Sequence, residues 1–249
     1  MMKNLIPISY YTAFSLYGLS LAFHLFRRIR LEIVTTAIAL IANGFVLVMI
    51  AMSSGHIPVF QPFESFLLAA FILGLLCAFF TRPKDSIPGV KTWVWIEILL
   101  LLVITLFFDK NPSISQYGHS YIYIILFHAL RIAALSFMLF SSAHFIQFRL
   151  DRKAGHADNT GLHDGRNHLL ISAVFFLSAE YVGILWCQNG WGDFWMWSQN
   201  FFQSTLIVMY LMLAFHIPGK GPRSEGIRSL IGSLSGFFML TLLVLRSLY

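Results

Sequence analysis

Apolar residues fall into eight long runs separated by short polar stretches, at about 5–26, 31–52, 64–81, 92–108, 121–148, 169–188, 198–217 and 228–248. Most runs are near twenty residues. That is the length a helix needs to cross about 30 Å of hydrocarbon at about 1.5 Å per residue. Barrel strands would alternate apolar and polar positions with a period of two. These runs are continuous instead, and the 25 phenylalanines and few prolines suit helices in lipid. The pattern predicts an all-α polytopic integral membrane protein with about eight transmembrane helices. No soluble domain interrupts it, so 1–249 is read as a single transmembrane domain. The fifth run is long enough to tilt strongly or to project beyond the bilayer.

The polar stretches alternate in charge. Arg27, Arg28 and Arg30 follow the first run, and Arg82, Lys84 and Lys91 lie between the third and fourth. Arg149, Arg152, Lys153 and Arg166 lie between the fifth and sixth, and Lys220, Arg223 and Arg228 between the seventh and eighth. The other connections hold almost none: 53–63 and 189–197 have no Lys or Arg, and 109–120 has only Lys110. Positive charge is retained on the cytoplasmic side. Both termini and the connections 53–63, 109–120 and 189–197 are therefore expected to face outward. The net charge of +6 reflects this topology signal and not nucleic-acid binding. The longest connection, 149–168, is rich in Gly, Asp, Asn and His and reads as a mobile cytoplasmic loop. Its His156, His163 and His168 match no ordinary metal spacing and read as solvated loop residues.

Composition agrees. The chain is 57% hydrophobic and 11% charged, with mean hydropathy +0.73, against about 25% charged in soluble domains. Cys77 and Cys187 form no CxxC pair, which leaves thiol–disulfide and zinc chemistry without support. The first run is too long for a cleavable signal peptide, and its basic cluster follows it.

Ionisable groups inside spans are costly and tend to be functional. The histidines form two layers: His56, His119 and His128 near the outer face, and His24, His144 and His216 near the inner face. Neutral imidazole is a good ligand for iron; the alternative is a hydrogen bond to a neighbouring helix. His128 lies about seven residues into the fifth run, roughly 10 Å below its outer end. Arg131 is one turn further on the same face. A guanidinium at that depth needs Glu180, Glu97 or an anionic ligand opposite it. In SGHIPVFQPFES, 54–65, two prolines and a glycine keep the first part from being helical. Glu64 then falls near a helix start, either as a cap or as part of a re-entrant lid. NGWGDFWMW, 189–197, puts three of the six tryptophans into seven residues. Trp191, Trp195 and Trp197 can be interfacial anchors. Their density fits an aromatic platform for a flat hydrophobic ligand better.

These segments resemble the cytochrome c assembly family of haem-handling membrane proteins (the CcsA and CcmC types). WGDFWMW, 191–197, matches the first part of that family's WGxxWxWDPxE outer loop, and GILWCQNGWG, 183–192, is similar to the approach to it. SGHIPVFQPFES is similar to the family's outer SGHFPxSNxYES segment, with Gly55, His56, Pro58, Glu64 and Ser65 in place. FHALRIAALSF, 127–137, resembles the helix that opens with a haem-ligating histidine, which would be His128. AFHIPGKGPR, 214–223, resembles the end of the helix after the tryptophan loop, whose histidine would be His216. The likeness runs over nearly the whole chain in matching order. Two positions depart from it. Ser198, Gln199 and Asn200 follow Trp197 where the family has Asp-Pro and then an acid, and Arg246 stands where it has a second outer histidine. His56, His119 or a partner would then complete the axial pair.

The resemblance implies that haem b is bound and delivered at the outer face of a bacterial plasma (inner) membrane, for covalent attachment to an apocytochrome c. His128 would be an axial ligand of haem iron. Arg131 would grip a propionate, Trp191, Gly192, Trp195 and Trp197 would hold the macrocycle, and His56 would lie nearby. His216, together with His24, would line an inner haem site. A second membrane assembly subunit is the expected partner, making the chain a subunit of a cytochrome c synthase. Two other readings stay open. One is a non-enzymatic regulator or scaffold of haem biosynthesis, favoured by the departures; the other is a small-solute transporter, disfavoured by the lack of an internal repeat.

Overall fold

A computed structural model of the chain describes residues 2–81, 89–111, 121–155, 160–191, 199–217 and 221–248. Eight helices follow in chain order: α1 (Met2–Leu25), α2 (Ile29–Ser54), α3 (Pro62–Phe80), α4 (Val90–Thr105), α5 (Tyr121–Lys153), α6 (Thr160–Trp191), α7 (Gln199–His216) and α8 (Pro222–Leu248). No strand occurs among the described residues. The all-α architecture expected from continuous apolar runs is the one observed.

Six segments are long and apolar enough to cross a membrane: Leu5–Leu25, Ile29–Ser54, Pro62–Phe80, Ile122–Lys153, Thr160–Asn189 and Ser224–Ser247. The chain is a polytopic membrane protein by this measure. The fourth and seventh expected spans are shorter. α4 has 16 residues, about 24 Å of rise, and the apolar part of α7 is Phe202–His216. Both fall short of the ~20 residues a full crossing takes.

The chain divides into two compact units, Met1–Tyr117 and Gly118–Tyr249. In the first, α1 packs on α2 and α4, and α3 packs on α2 and α4, a closed ring of four helices. Its seams are polar. Tyr10 donates a 2.6 Å hydrogen bond to the Leu102 carbonyl, and Thr105 donates one of 2.7 Å to the Tyr10 hydroxyl. The Tyr17 ring lies 5.9 Å from that of Trp95, and His24 Nε2 is 3.0 Å from Thr92 Oγ1. Steps of seven along α1 thus meet descending positions on α4, so the two run antiparallel. On α2, Thr36, Ala39, Asn43, Val46 and Ile50 are buried, while Val34, Ile38, Ile41, Phe45, Val48 and Met52 are exposed. Polar groups turn inward and large apolar ones outward, the arrangement for helices solvated by lipid.

In the second unit α5 packs on α6 and α8, and α7 packs on α8. Small residues set these seams. A Cβ on Gly236 would come within 2.8 Å of the Leu139 Cα, and one on Gly232 within 2.3 Å of the Phe145 ring. Gly232 and Gly236 are spaced as in a small-xxx-small contact, which lets helix backbones approach closely. Ser142 Oγ fills that seam, accepting the Gly236 N–H at 2.9 Å.

The connection expected at 149–168 is mostly helix. α5 continues to Lys153 and α6 begins at Thr160. The glycines that read as loop signals are packing residues. Gly161 and Gly165 lie against Phe148 and Phe145, with Cβ clearances of 3.6 and 3.1 Å, and Ser141 donates to the Gly165 carbonyl at 2.7 Å. Gly155, at φ 78°, is the glycine here that does terminate a helix. His163 and His168 accordingly sit on α6 and not in a loop, His163 exposed and His168 half-buried; His156 lies outside the described residues.

Candidate functional site

α5 sets the centre of the site. His128 stands seven residues from its start, with its ring edge-on to Phe127 at 5.3 Å. Three residues on, Arg131 is 3% exposed. Its guanidinium lies 5.0 Å from the Phe127 ring centroid and 5.5 Å from that of Phe176, between two aromatic faces. α6 supplies the counter-charge: Arg131 Nε is 3.5 Å from Glu180 Oε1. α7 supplies a hydroxyl, Ser204 Oγ, which accepts from Arg131 Nη2 at 3.2 Å. α8 contributes Arg246, which interacts electrostatically with His128, Arg131 and Glu180. The Trp186 ring on α6 packs 6.3 Å from Phe127.

Of the acids read as possible partners of Arg131, the structure selects Glu180; Glu97 belongs to the first unit. The pairing is incomplete. Among the described residues, Arg131 Nε and Nη1 and Glu180 Oε1 make no hydrogen bond, and neither does the buried amide of Gln203 on α7. Two guanidiniums face one carboxylate, leaving one formal positive charge over. Buried donors without acceptors cost free energy comparable to a lost hydrogen bond. The arrangement suits an incoming carboxylate, which a guanidinium can hold with two hydrogen bonds.

The remaining expected residues are placed as follows. Trp191 is the last residue of α6, its side chain outside those described; Gly192, Trp195, Trp197 and His119 also lie outside the described residues. His216 ends α7, exposed, with Nδ1 2.8 Å from the Met212 carbonyl. That bond places the proton on Nδ1 and leaves the Nε2 lone pair for a metal. His56 belongs to the first unit and is buried, its Nδ1 3.0 Å from the Ile57 carbonyl and its ring 5.0 Å from Phe60. His24 belongs to the first unit and is held by neighbouring side chains. Its Nδ1 is 3.2 Å from Glu32 Oε2 and its Nε2 3.0 Å from Thr92 Oγ1, so both nitrogens are committed. His144 stacks on His168, with centroids 5.1 Å apart. Among the described residues no group of three or more His, Cys, Asp or Glu is placed to hold a metal ion.

The segment 55–61 is irregular, as its glycine and prolines imply. Gly55 takes φ 75° and closes α2. Glu64 Oε2 accepts the N–H groups of Phe60 and Gln61 at 3.1 and 3.4 Å, so it caps α3. Sequence reasoning missed Gln203, Ser204, Phe176 and Trp186. The signal for the first two was present, as adjacent polar residues inside an apolar run. No protein-family model, curated protein or solved structure matches the chain.

Proposed function

We propose that the chain binds haem b within its second unit and presents it at the outer membrane face for attachment to an apocytochrome c. One observation carries the reading: Arg131, buried between two phenylalanine rings, keeps two nitrogens without hydrogen-bond partners among the described residues, one turn from His128. A haem propionate is a carboxylate that such a guanidinium would hold, and His128 would supply an axial nitrogen to the iron. Arg246 adds a second positive charge for the same anionic edge. Trp191, Gly192, Trp195 and Trp197 would cover the macrocycle, and His216 would belong to a second, inner haem site. The bound group would supply vinyl carbons that take up cysteine thiols as thioethers. The chain's own part is to bind, orient and shield it. The charge alternation of the connections supports outward-facing termini and tryptophan loop, and the resemblance alone suggests a bacterial plasma membrane. A second membrane subunit would complete a cytochrome c synthase.

Absorption spectra of the purified protein, oxidised and then dithionite-reduced, test this. A Soret band with sharp reduced bands is expected, lost in His128→Ala and kept in His144→Ala. Equal haem content in the two variants would overturn His128 as ligand. The cation Arg246, standing where the resembled family has a histidine, favours a second reading, a regulator of haem biosynthesis that senses haem without delivering it. Neighbouring genes separate the two: a thiol-reducing protein and a partner subunit for assembly, haem-synthesis enzymes for regulation.

A further inference from the structure

The first unit holds a second buried ionic cluster that haem binding does not use. Glu32 on α2 pairs with Lys91 on α4 and with His24 Nδ1 on α1, and His24 Nε2 reaches Thr92 on α4. Lys91 is one quarter exposed, so the cluster opens to water at this end. Polar groups continue inward from it. Thr36 and Asn43 stand four and eleven residues past Glu32, on the same face of α2, and both are buried. Thr36 Oγ1 and Asn43 Oδ1 have no hydrogen-bond partner among the described residues.

On α4, Glu97 lies five residues beyond Thr92, about 7.5 Å deeper along the helix. It is 1% exposed, and neither carboxyl oxygen has a hydrogen-bond partner among the described residues. The helices packed on α4 are α1 and α3. Their titratable groups, with those of α2 and of α4 itself, are Tyr10, Tyr11, Tyr17, His24, Arg30, Glu32, Glu64, Cys77 and Lys91, with the side chain of Lys3 outside those described. None of the described groups bonds to Glu97. An isolated carboxylate in such surroundings is far more costly than the neutral acid. A leucine would pack there without that cost. An acid whose charged form lacks a partner here holds its proton until its surroundings change, which suits it to carrying one.

We propose that Glu97 is an intramembrane proton-binding site, loaded from the aqueous phase through the His24–Glu32–Lys91 cluster. His24 is the relay group. Its two nitrogens face Glu32, which pairs with the part-exposed Lys91, and Thr92, which sits on the helix that carries Glu97, so a proton taken up on one can leave from the other. Loading adds one proton to the carboxylate, release removes it, and no oxidant or reductant takes part. Glu97 stands about 140° round α4 from Thr92 as well as deeper along it, and the exchange rate in His24→Phe decides whether protons cross that step. Loading and release change the charge inside the four-helix ring, so any motion of the ring that favours one form is coupled to pH.

Infrared spectroscopy of the full chain in lipid nanodiscs tests the proposal. A protonated-carboxyl C=O stretch is expected at neutral pH, shifted in D2O and removed by Glu97→Gln. Glu97→Asp keeps the acid and should move the band instead, which gives a second readout if Glu97→Gln does not fold. The D2O shift of this band should be at least tenfold slower in His24→Phe. A spectrum in which neither Glu97 variant changes a protonated-carboxyl band overturns the site. An unchanged exchange rate in His24→Phe overturns the path.

Discussion

Glu180→Gln should be among the most disruptive single changes in the second unit, and its effect should depend on Arg131. The pair is separated by 3.5 Å, and the two side chains are 4% and 16% exposed. At an effective dielectric constant of about 20, two unit charges at that distance attract by about 5 kcal/mol. Removing one partner of a buried pair typically costs about 3–5 kcal/mol, because the other charge stays buried; replacing both is often close to neutral. Arg131 would keep its bond to Ser204 but would then face Arg246 with no carboxylate between them. A double-mutant cycle with Arg131→Met and Glu180→Gln, followed by equilibrium unfolding in mixed micelles without haem, should give a coupling of about 3 kcal/mol. Arg246→Gln should be stabilising in the Glu180→Gln background and destabilising in the parent. A coupling below about 0.5 kcal/mol, or an Arg246 effect of the same sign in both backgrounds, would refute the view of three charges sharing one buried field.

Two further outcomes follow from packing and capping. Gly236→Ala puts a methyl group 2.8 Å from the Leu139 backbone, which that helix cannot yield locally. A loss of about 1–3 kcal/mol is expected in the same unfolding assay, and Gly18→Ala, with open space around it, serves as the control. Glu64→Ala removes the acceptor for the Phe60 and Gln61 N–H groups and should cost about 1 kcal/mol, most of it recovered in Glu64→Gln.

The helical class and the positions of the helices were legible because lipid imposes a coarse rule that long apolar runs satisfy visibly. What the sequence hid was the meaning of small residues. Gly161 and Gly165 read as loop formers, and only the neighbouring Phe148 and Phe145 reveal them as contact points between helices. The fourth run overran α4 for another reason, because apolarity continues through Leu106, Phe107 and Phe108 past the last helical turn. Within the site, Arg131 announced itself as a charge in an apolar run, but its partner was a choice between two acids that spacing on one helix could not make. Histidine was the least legible residue. His24, His144 and His168 share a type, yet one is held by Glu32 and Thr92 while the other two stack on each other. The imidazole's two nitrogens and flat face allow all of these uses, and only the surrounding helices choose.

The unbroken run of α5 has a mechanical consequence. Its 33 residues make a rod of about 50 Å, against about 30 Å of hydrocarbon. One stretch carries His128 and Arg131, and the far end carries Gln147, Arg149 and Asp151, with Gln147 bonded to Asp151 at 2.7 Å and Arg149 to the Gly226 carbonyl at 3.2 Å. A rigid rod does not absorb rotation along its length. A twist applied to the basic end is carried along one unbroken helix toward the imidazole and the guanidinium. α5 is in this sense a torsion bar, with a polar handle at one end and His128 and Arg131 near the other.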